Sequence, residues 1–552
     1  MITRIKAFST LILLSFLLLT CTKTHQKSTD RVVVGLQNDL ETLNPLYSMS
    51  EPELNISELI YLSLAGHDWD AELGTVTSYP LLAEEWKWNS DSTSVSIKLR
   101  DDVYWSDGKK VSSDDVVYSF DLYSDANVQS RFFGIFSNYF TKPDLSIDLK
   151  KSFEKINDLE LKIKFKPQSV PSVFDFDMPI LPKHIFEKND RRELATSEIN
   201  VKPIGCGPYQ LDNWTRNQNI RLVKNENSFL IKENSVKEIY FKIVPDYNSL
   251  LNQIMKGEID LAQNIRPEDV ASLKSQVHLQ ISSRKGRSYD YVGLNNIDPN
   301  EFQKSGKLSP NQYFGNAKIR MAVSLAINRK SILDEFLLGN GELMVTPISP
   351  IFKSEIDKSL NPIEYNLTKS REILRNEGWT DTNGDGIIEK NGKKFALTLN
   401  VPSGNPLRTY SSTIVQNNLK AVGIDLQIAT LEPSIFFNKM FKKEFDIWIA
   451  GWGVPIPLDL KPYWHSNPSI GGANIVSYTN KNLDKILEQL SRKVSNNTRT
   501  ELLKQFQKII ADEQPVSFLY WIDTIVASNK KIQNLQINPL GSVQQCWNWV
   551  IE

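Results

Sequence analysis

The chain has 552 residues, 40% of them hydrophobic and 23% charged, enough for two or three domains that each bury a core without disulfide or metal staples. Lysine and arginine total 64 against 65 aspartates and glutamates, and a formal net charge of -1 leaves no cationic footprint for nucleic acid or anionic membrane. Beyond position 20 no apolar run reaches the roughly 20 residues of a spanning helix, so the body of the protein is expected to be soluble.

At the N-terminus Arg4 and Lys6 precede an apolar stretch from Ala7 to Leu19, the architecture of a signal peptide over residues 1–20. The stretch closes on Leu18-Leu19-Thr20-Cys21 and gives way to polar THQKSTD, which resembles the lipobox of bacterial lipoproteins, with Thr20 where Gly, Ala or Ser is usual. Cys21 is then the expected lipidated N-terminus, residues 21–30 a spacer, and the mature protein an exported, periplasmic or cell-surface lipoprotein touching the membrane only through that anchor. Export permits a disulfide between the two other cysteines, Cys206 and Cys546, without requiring one, and two buried thiols remain the alternative.

RVVVGL at 31–36 reads as a buried strand, followed by a turn-rich NDLETLNPLYS. SVSIKLR alternates as a strand, Ser106-Asp107-Gly108 predicts a turn, and Ser112-Ser113-Asp114-Asp115 predicts a helix cap instead of an acidic site. IYFKIVPDYNSLLNQIMKGEIDLA reads strand, helix, strand; RSYDYVGLNN gives another strand, and NAKIRMAVSLAINRKSILDEFLLGNG a helical stretch. In the final third, KFALTLNV, IDLQIATL and EFDIWIAGW are strands, with a helix over TIVQNNLKAVGI. The last strand runs into GWGVPIPLDLKPYWHS, a loop broken by Pro455, Pro457 and Pro462 yet rich in aromatics. A loop at a strand's carboxyl end in an open α/β sheet borders the crevice where ligands bind.

No G-x-S-x-G, H-E-x-x-H, Walker A or G-x-G-x-x-G pattern occurs, and the five histidines have no ligand spacing, so neither catalytic residues, metal ligands nor a cofactor are expected. DTNGDGIIEKNG at 381–392 opens like a calcium loop but places Gly392 at the twelfth position, where a bidentate Glu is needed, so it predicts a structural turn.

Several stretches in one order resemble the extracellular solute-binding proteins (family 5) that serve dipeptide, oligopeptide and nickel ABC transporters. They are PLLAEEW from Pro80 to Trp86, Trp105-Ser106-Asp107-Gly108, Asp114-Asp115-Val116, Leu181-Pro182-Lys183-His184, Gly205-Cys206-Gly207-Pro208-Tyr209, Gly257-Glu258-Ile259-Asp260, KIRMAVSLAINRKSI, NEGWTDTNGDG and DEQPVSFLYW. Departures are Cys206 where Thr is usual, Asn328 where Asp is usual, and Leu460 where Pro commonly follows the loop's acid. The resemblance implies an α/β, two-lobed periplasmic-binding-protein-like (type II) fold with a hinge and a subdomain inserted in lobe I. Its expected division is 31–75, 200–285 and 525–552 for lobe I, 76–199 for the insert and 286–524 for lobe II.

It also implies a monomeric, non-enzymatic receptor that encloses a peptide or other small solute and hands it to ABC permease subunits. Asp459, the loop's only carboxylate, is expected to pair with a ligand ammonium, Trp452 and Trp464 to line the pocket, and Gln37, Asn38 and Asn295 to meet the peptide main chain. Two other readings stay open: a receptor for a nickel chelate, sugar or signalling molecule, and a lipoprotein hydrolase pairing Asp459 with Asp39 or Glu41.

Overall fold

The computed structural model describes residues 30–552, so the expected leader, Cys21 and the spacer before residue 30 lie outside the described residues. One eleven-stranded sheet organises the chain. Across it run the strands Asp425–Leu431, Ala396–Pro402, Ile447–Gly453, Leu279–Leu294, Val516–Asn529, Leu261–Ala262, Arg31–Leu36, Glu238–Ile243, Asn219–Lys224 and Tyr209–Thr215, with Gly341–Leu343 pairing beside Val516–Asn529. At each end the inner strands are parallel: Arg31–Leu36 with Glu238–Ile243 and Leu261–Ala262, and Ala396–Pro402 with Asp425–Leu431 and Ile447–Gly453. Parallel strands need crossovers, and helices such as Tyr247–Met255 and Pro406–Lys420 supply them.

Two long antiparallel strands, Leu279–Leu294 and Val516–Asn529, join the two ends. Along them the core changes hands. Ile281 and Ile525 pack with the first-lobe strands, whereas Tyr289, Phe518 and Trp521 belong to second-lobe clusters. Between these points the pairing slips from Arg284 to Ser288. Gly286 sits in the slip, where a Cβ would come within 1.6 Å of the Ile522 carbonyl, so only glycine lets the strands approach there.

An antiparallel four-stranded sheet, Ala83–Trp88, Ser94–Leu99, Glu160–Lys164 and Phe153–Lys155, forms the inserted part and shares one continuous core with the first lobe. Ala65–Asp70 and Thr75–Pro80 pair in full register as one hairpin that spans the expected boundary at 75/76. The hairpin's tip crosses to the second lobe, where Lys353 Nζ donates to the Ala71 carbonyl at 2.6 Å and Trp69 meets Phe352 edge-on at 6.2 Å.

Local chemistry accounts for several sequence motifs. Asp115 accepts from Ser112 N–H (2.9 Å) and Lys183 N–H (2.9 Å), a cap and a loop tie. Arg320 of the KIRMA stretch donates to the carbonyls of Phe314 (2.8 Å), Glu513 (3.0 Å) and Gln514 (3.0 Å), fastening the end of one helix to the start of the second long strand. In the calcium-like turn, Asp381 accepts from Gly384 and Gly386 N–H, so its carboxylate is spent on the turn itself. Cys206 and Cys546 are buried free thiols; burial pushes the Cys206 thiol up to about 12 and raises that of Cys546 further. No helix among the described residues is long and apolar enough to cross a membrane.

Candidate functional site

The carboxyl ends of both parallel strand sets open toward the region between the lobes. On the second lobe, strand alternation turns Tyr289 and Tyr291 to one face, and the antiparallel register sets Tyr289 opposite Trp452. With Tyr463, Trp464, Val476 and Val516 these residues line a narrow aromatic recess of about 20 Å³. Trp452 is half-buried and contacts Tyr463 at 5.5 Å and Phe441 at 6.5 Å, both edge-on, and Phe441 is itself exposed. Trp464 is 5% exposed and packs on Phe518, so most of its ring is core and only an edge reaches the recess.

Behind this wall lies a buried ion pair. Arg408 donates to Asp290 from Nε (3.1 and 3.2 Å) and Nη2 (2.9 Å), and Asp290 is 1% exposed. Burial raises the Asp290 carboxyl above its usual range against the pull of Arg408. Gly451 faces Asp290 across the strands, and a Cβ there would come within 2.3 Å of Asp290 Oδ1 and 2.6 Å of Arg408 Nη2. The glycine before Trp452 is thus required by the charge pair beneath it.

After Gly453 the loop leads to Asp459, which is exposed and accepts from Lys461 N–H at 3.1 Å just before a one-turn helix, Lys461–Trp464. That turn forms despite Pro462 because proline is tolerated in a helix's first turn. Asp459 borders the aromatic side of the cleft and also a polar cavity of about 340 Å³ that it shares with Lys461, Arg499 and, from the inserted part, Asn138 and Val170.

The facing wall belongs to the first lobe. A cavity of about 500 Å³ is lined by Gln37, Asn38, Glu41, Glu51, Gln263 and other residues at the ends of Arg31–Leu36 and Leu261–Ala262. Asp39 accepts from Leu40 N–H (2.9 Å), Trp214 Nε1 (3.0 Å) and Asn217 N–H (2.8 Å), and this fixes the loop carrying Gln37 and Asn38. Its carboxylate is committed to folding, as a catalytic group would not be.

The structure therefore brings Trp452, an edge of Trp464 and Asp459 together on one wall and Gln37 and Asn38 onto the other. It does not bring Asn295 there. Asn295 is fully buried beyond the pair Leu294–Ile447, at the end of the strand pair opposite Trp452, about 20 Å away at ~3.3 Å per residue. Its amide donates to the Phe445 carbonyl at 2.9 Å and pins the end of that strand pair. Tyr289, Tyr291, Val476 and Val516 were not singled out from the sequence; the Tyr-Asp-Tyr alternation in RSYDYVGL was the available signal for the first two. No group of three or more His, Cys, Asp or Glu among the described residues could hold a metal ion.

Residues 77–473 match the family described as bacterial extracellular solute-binding proteins, family 5 Middle. The oligopeptide-binding protein AppA of Bacillus subtilis is 29% identical over 529 residues, covering 94% of this chain and 91% of that protein. The di/tripeptide-binding protein 1 of Pseudomonas aeruginosa is 24% identical over 484 residues, 85% of each chain. Among solved structures, AppA in complex with a nonapeptide superposes with a TM-score of 0.76 at 28% identity, covering 95% of this chain and 99% of that one. NikZ from Campylobacter jejuni in complex with Ni(L-His) superposes with a TM-score of 0.75 at 23% identity, over 95% and 99%.

Proposed function

Because the chain belongs to the bacterial extracellular solute-binding proteins, family 5, we propose that it captures peptides between its two lobes and delivers them to an ABC permease. The family is non-enzymatic, so binding is the whole of the chemistry at the cleft. The observation that carries the peptide reading is the pairing of unlike walls: an aromatic recess around Trp452 faces a polar wall of amide side chains and loop backbone at Gln37 and Asn38. Aromatic surface accepts side chains of many shapes, while backbone and amides satisfy an extended main chain.

In this reading the lobes close about the slip at Arg284 to Ser288 and its partner segment near Ile522 and Thr524. Ligand that touches both walls favours the closed state, since only that state offers both sets of contacts. Asp459, exposed and with one oxygen left after accepting from Lys461 N–H, is the proposed partner of the peptide's ammonium group. Cys21 carries the proposed lipid anchor at an exported, membrane-attached location.

Native mass spectrometry of the protein lacking residues 1–20 and carrying Cys21→Ser, before and after mild denaturation and refolding, tests this. A ladder of released peptide masses is expected, with retention reduced in Asp459→Asn. A single non-peptide mass sinks the reading in favour of another solute. The intact mass of the chain extracted from membranes reports whether Cys21 bears a diacylglyceryl group.

A further inference from the structure

Besides the two long strands, the hairpin of residues 65–80 also passes between the lobes. Its base is fastened on the first-lobe side. Ala65 N–H donates to Asp177 Oδ1 at 3.0 Å, His67 bridges Asp177 and Ser78, and Gln545 of the C-terminal segment donates to Asp68 (2.6 Å) and to the Tyr79 hydroxyl (3.1 Å). The tip is folded from within by Asp70, whose Oδ1 accepts from Glu72 and Leu73 N–H, both at 2.9 Å, and whose carbonyl accepts from Gly74 N–H at 2.8 Å. It therefore keeps its shape whether or not anything lies against it.

What lies against it is the second lobe. Gly74 is buried at a φ of +68°, and a Cβ there would come within 2.1 Å of the Ile351 carbonyl oxygen and 2.5 Å of the Lys353 backbone nitrogen. Trp69 and the Ala71 carbonyl meet Phe352 and Lys353 Nζ, and Ile351 and Phe352 are buried in a second-lobe core. This seat is fixed to its own lobe and to the slip. Ser349 Oγ donates to the Gly286 carbonyl at 2.8 Å, while Glu355 is held by Arg499 at 2.9 Å and, through its carbonyl, by Gln507 at 2.9 Å. The base of the hairpin turns with one lobe and the seat with the other, so a rotation about the slip must move seat against tip. The ties across this seam are slight: one hydrogen bond from an exposed lysine, one aromatic edge contact and the close approach of Gly74.

We propose that the hairpin is a detachable strap across the hinge: its seated tip holds the lobes closed, and its release permits opening and sets how long a ligand stays bound. The residence time rests on the peptide reading above; the strap's hold on the lobes does not. Gly74 permits seating, since any side chain there would meet second-lobe backbone, and Trp69 and Lys353 supply the grip. None of the three lines the recess or either cavity of the cleft, so the strap biases the open–closed equilibrium equally for every peptide. It alters the rate of release without altering which sequences are preferred.

The test compares the chain lacking residues 1–20 and carrying Cys21→Ser with its Trp69→Ala/Lys353→Met variant. Both are loaded with randomised pentapeptides, release is followed by mass spectrometry of what ultrafiltration retains, and small-angle scattering gives the radius of gyration without ligand. The variant is expected to release peptides ~10-fold faster, the scale of one charged hydrogen bond and one aromatic contact, and to be larger when ligand-free. The factor should be the same for every sequence. An unchanged release rate overturns the strap, and so does faster release confined to some sequences, which would make Trp69 or Lys353 a ligand contact. A second arm works in the opposite direction: Ala71→Cys and Lys353→Cys joined by a short, reducible bismaleimide should slow uptake and release together, with both rates restored on reduction. Exchange at the unjoined rate overturns the strap. If the parent chain retains no peptide, the peptide reading falls and the radius of gyration decides the strap by itself, equal radii overturning it.

Discussion

The two walls of the cleft are built on opposite principles. The second-lobe wall is side-chain surface: Tyr289, Tyr291 and Trp464 are at most 5% exposed, and the strand beneath is held by the Asp290–Arg408 pair. The first-lobe wall is loop. Burial would raise the Glu53 carboxyl, but N–H groups of Ser50 (2.9 Å), Met49 (2.9 Å) and Glu41 (2.8 Å) hold it below its usual range. One carboxylate thereby folds the whole 41–53 segment, leaving Met49 74% exposed at the rim. A fixed aromatic surface gives tolerance of side chains, and a loop wall of amides and backbone gives alignment of a main chain. Neither alone would hold a ligand whose sequence varies.

If the aromatic wall is the rigid partner, its support should be the most sensitive point. Arg408→Met leaves the Asp290 carboxylate buried and unpaired, an expected loss of about 3–5 kcal/mol in urea unfolding. Asp290→Asn should cost less, because Arg408 is the more exposed partner, with 18% of its side chain accessible against 1% for Asp290. Equal losses from the two variants would show that the pair is solvated and that the wall is not dry at its back. Next in size, Trp452→Ala should weaken peptide binding by about 2 kcal/mol, as loss of a central aromatic anchor does. Gln37→Ala should weaken it by only a few-fold, since main-chain contacts are spread over several groups. Titration by isothermal calorimetry separates these, and a larger loss from Gln37→Ala would invert the assignment of roles.

Much of the architecture was legible because it lies in pattern. The run IWIAGW reads as a buried strand, and the aromatics after it divide between the core, as most of Trp464 does, and the recess beside Trp452. Asn328 replaces the usual Asp without consequence for the helix start, since the position is a cap and either residue can accept from Ser331 N–H, here at 3.2 Å. Other parts were hidden by chemistry that reads two ways. The amide of Asn295 could meet a ligand or a buried carbonyl, and composition does not distinguish them. The strand Leu279–Leu294 begins well before the RSYDYVGL stretch because its first half, LQISSRKG, looks like a turn. A strand that bridges two lobes has no single core to alternate against. The helix Pro406–Lys420 begins before the predicted TIVQ, although Asn405 as cap and Pro406 at the first helical position were there to be read.

The smallest effect bears on how the aromatic wall is closed. Lys443 Nζ donates to Ser477 Oγ (2.6 Å) and to the carbonyls of Asn474 (3.2 Å) and Ile475 (3.4 Å), tying the turn after Pro433–Phe441 to the segment that seals the recess. These acceptors are neutral, and burial pulls the Lys443 ammonium down to about 8. An unfolded lysine titrates near ~10.4, so between these values the unfolded chain binds more protons and stability rises with pH through that window. Lys443→Met should flatten this rise, a difference visible in urea midpoints compared near neutrality and near the top of the window. Were the wild type instead to lose stability there, the three acceptors would outweigh burial, and the wall would be closed by a charged staple it needs instead of one it merely tolerates.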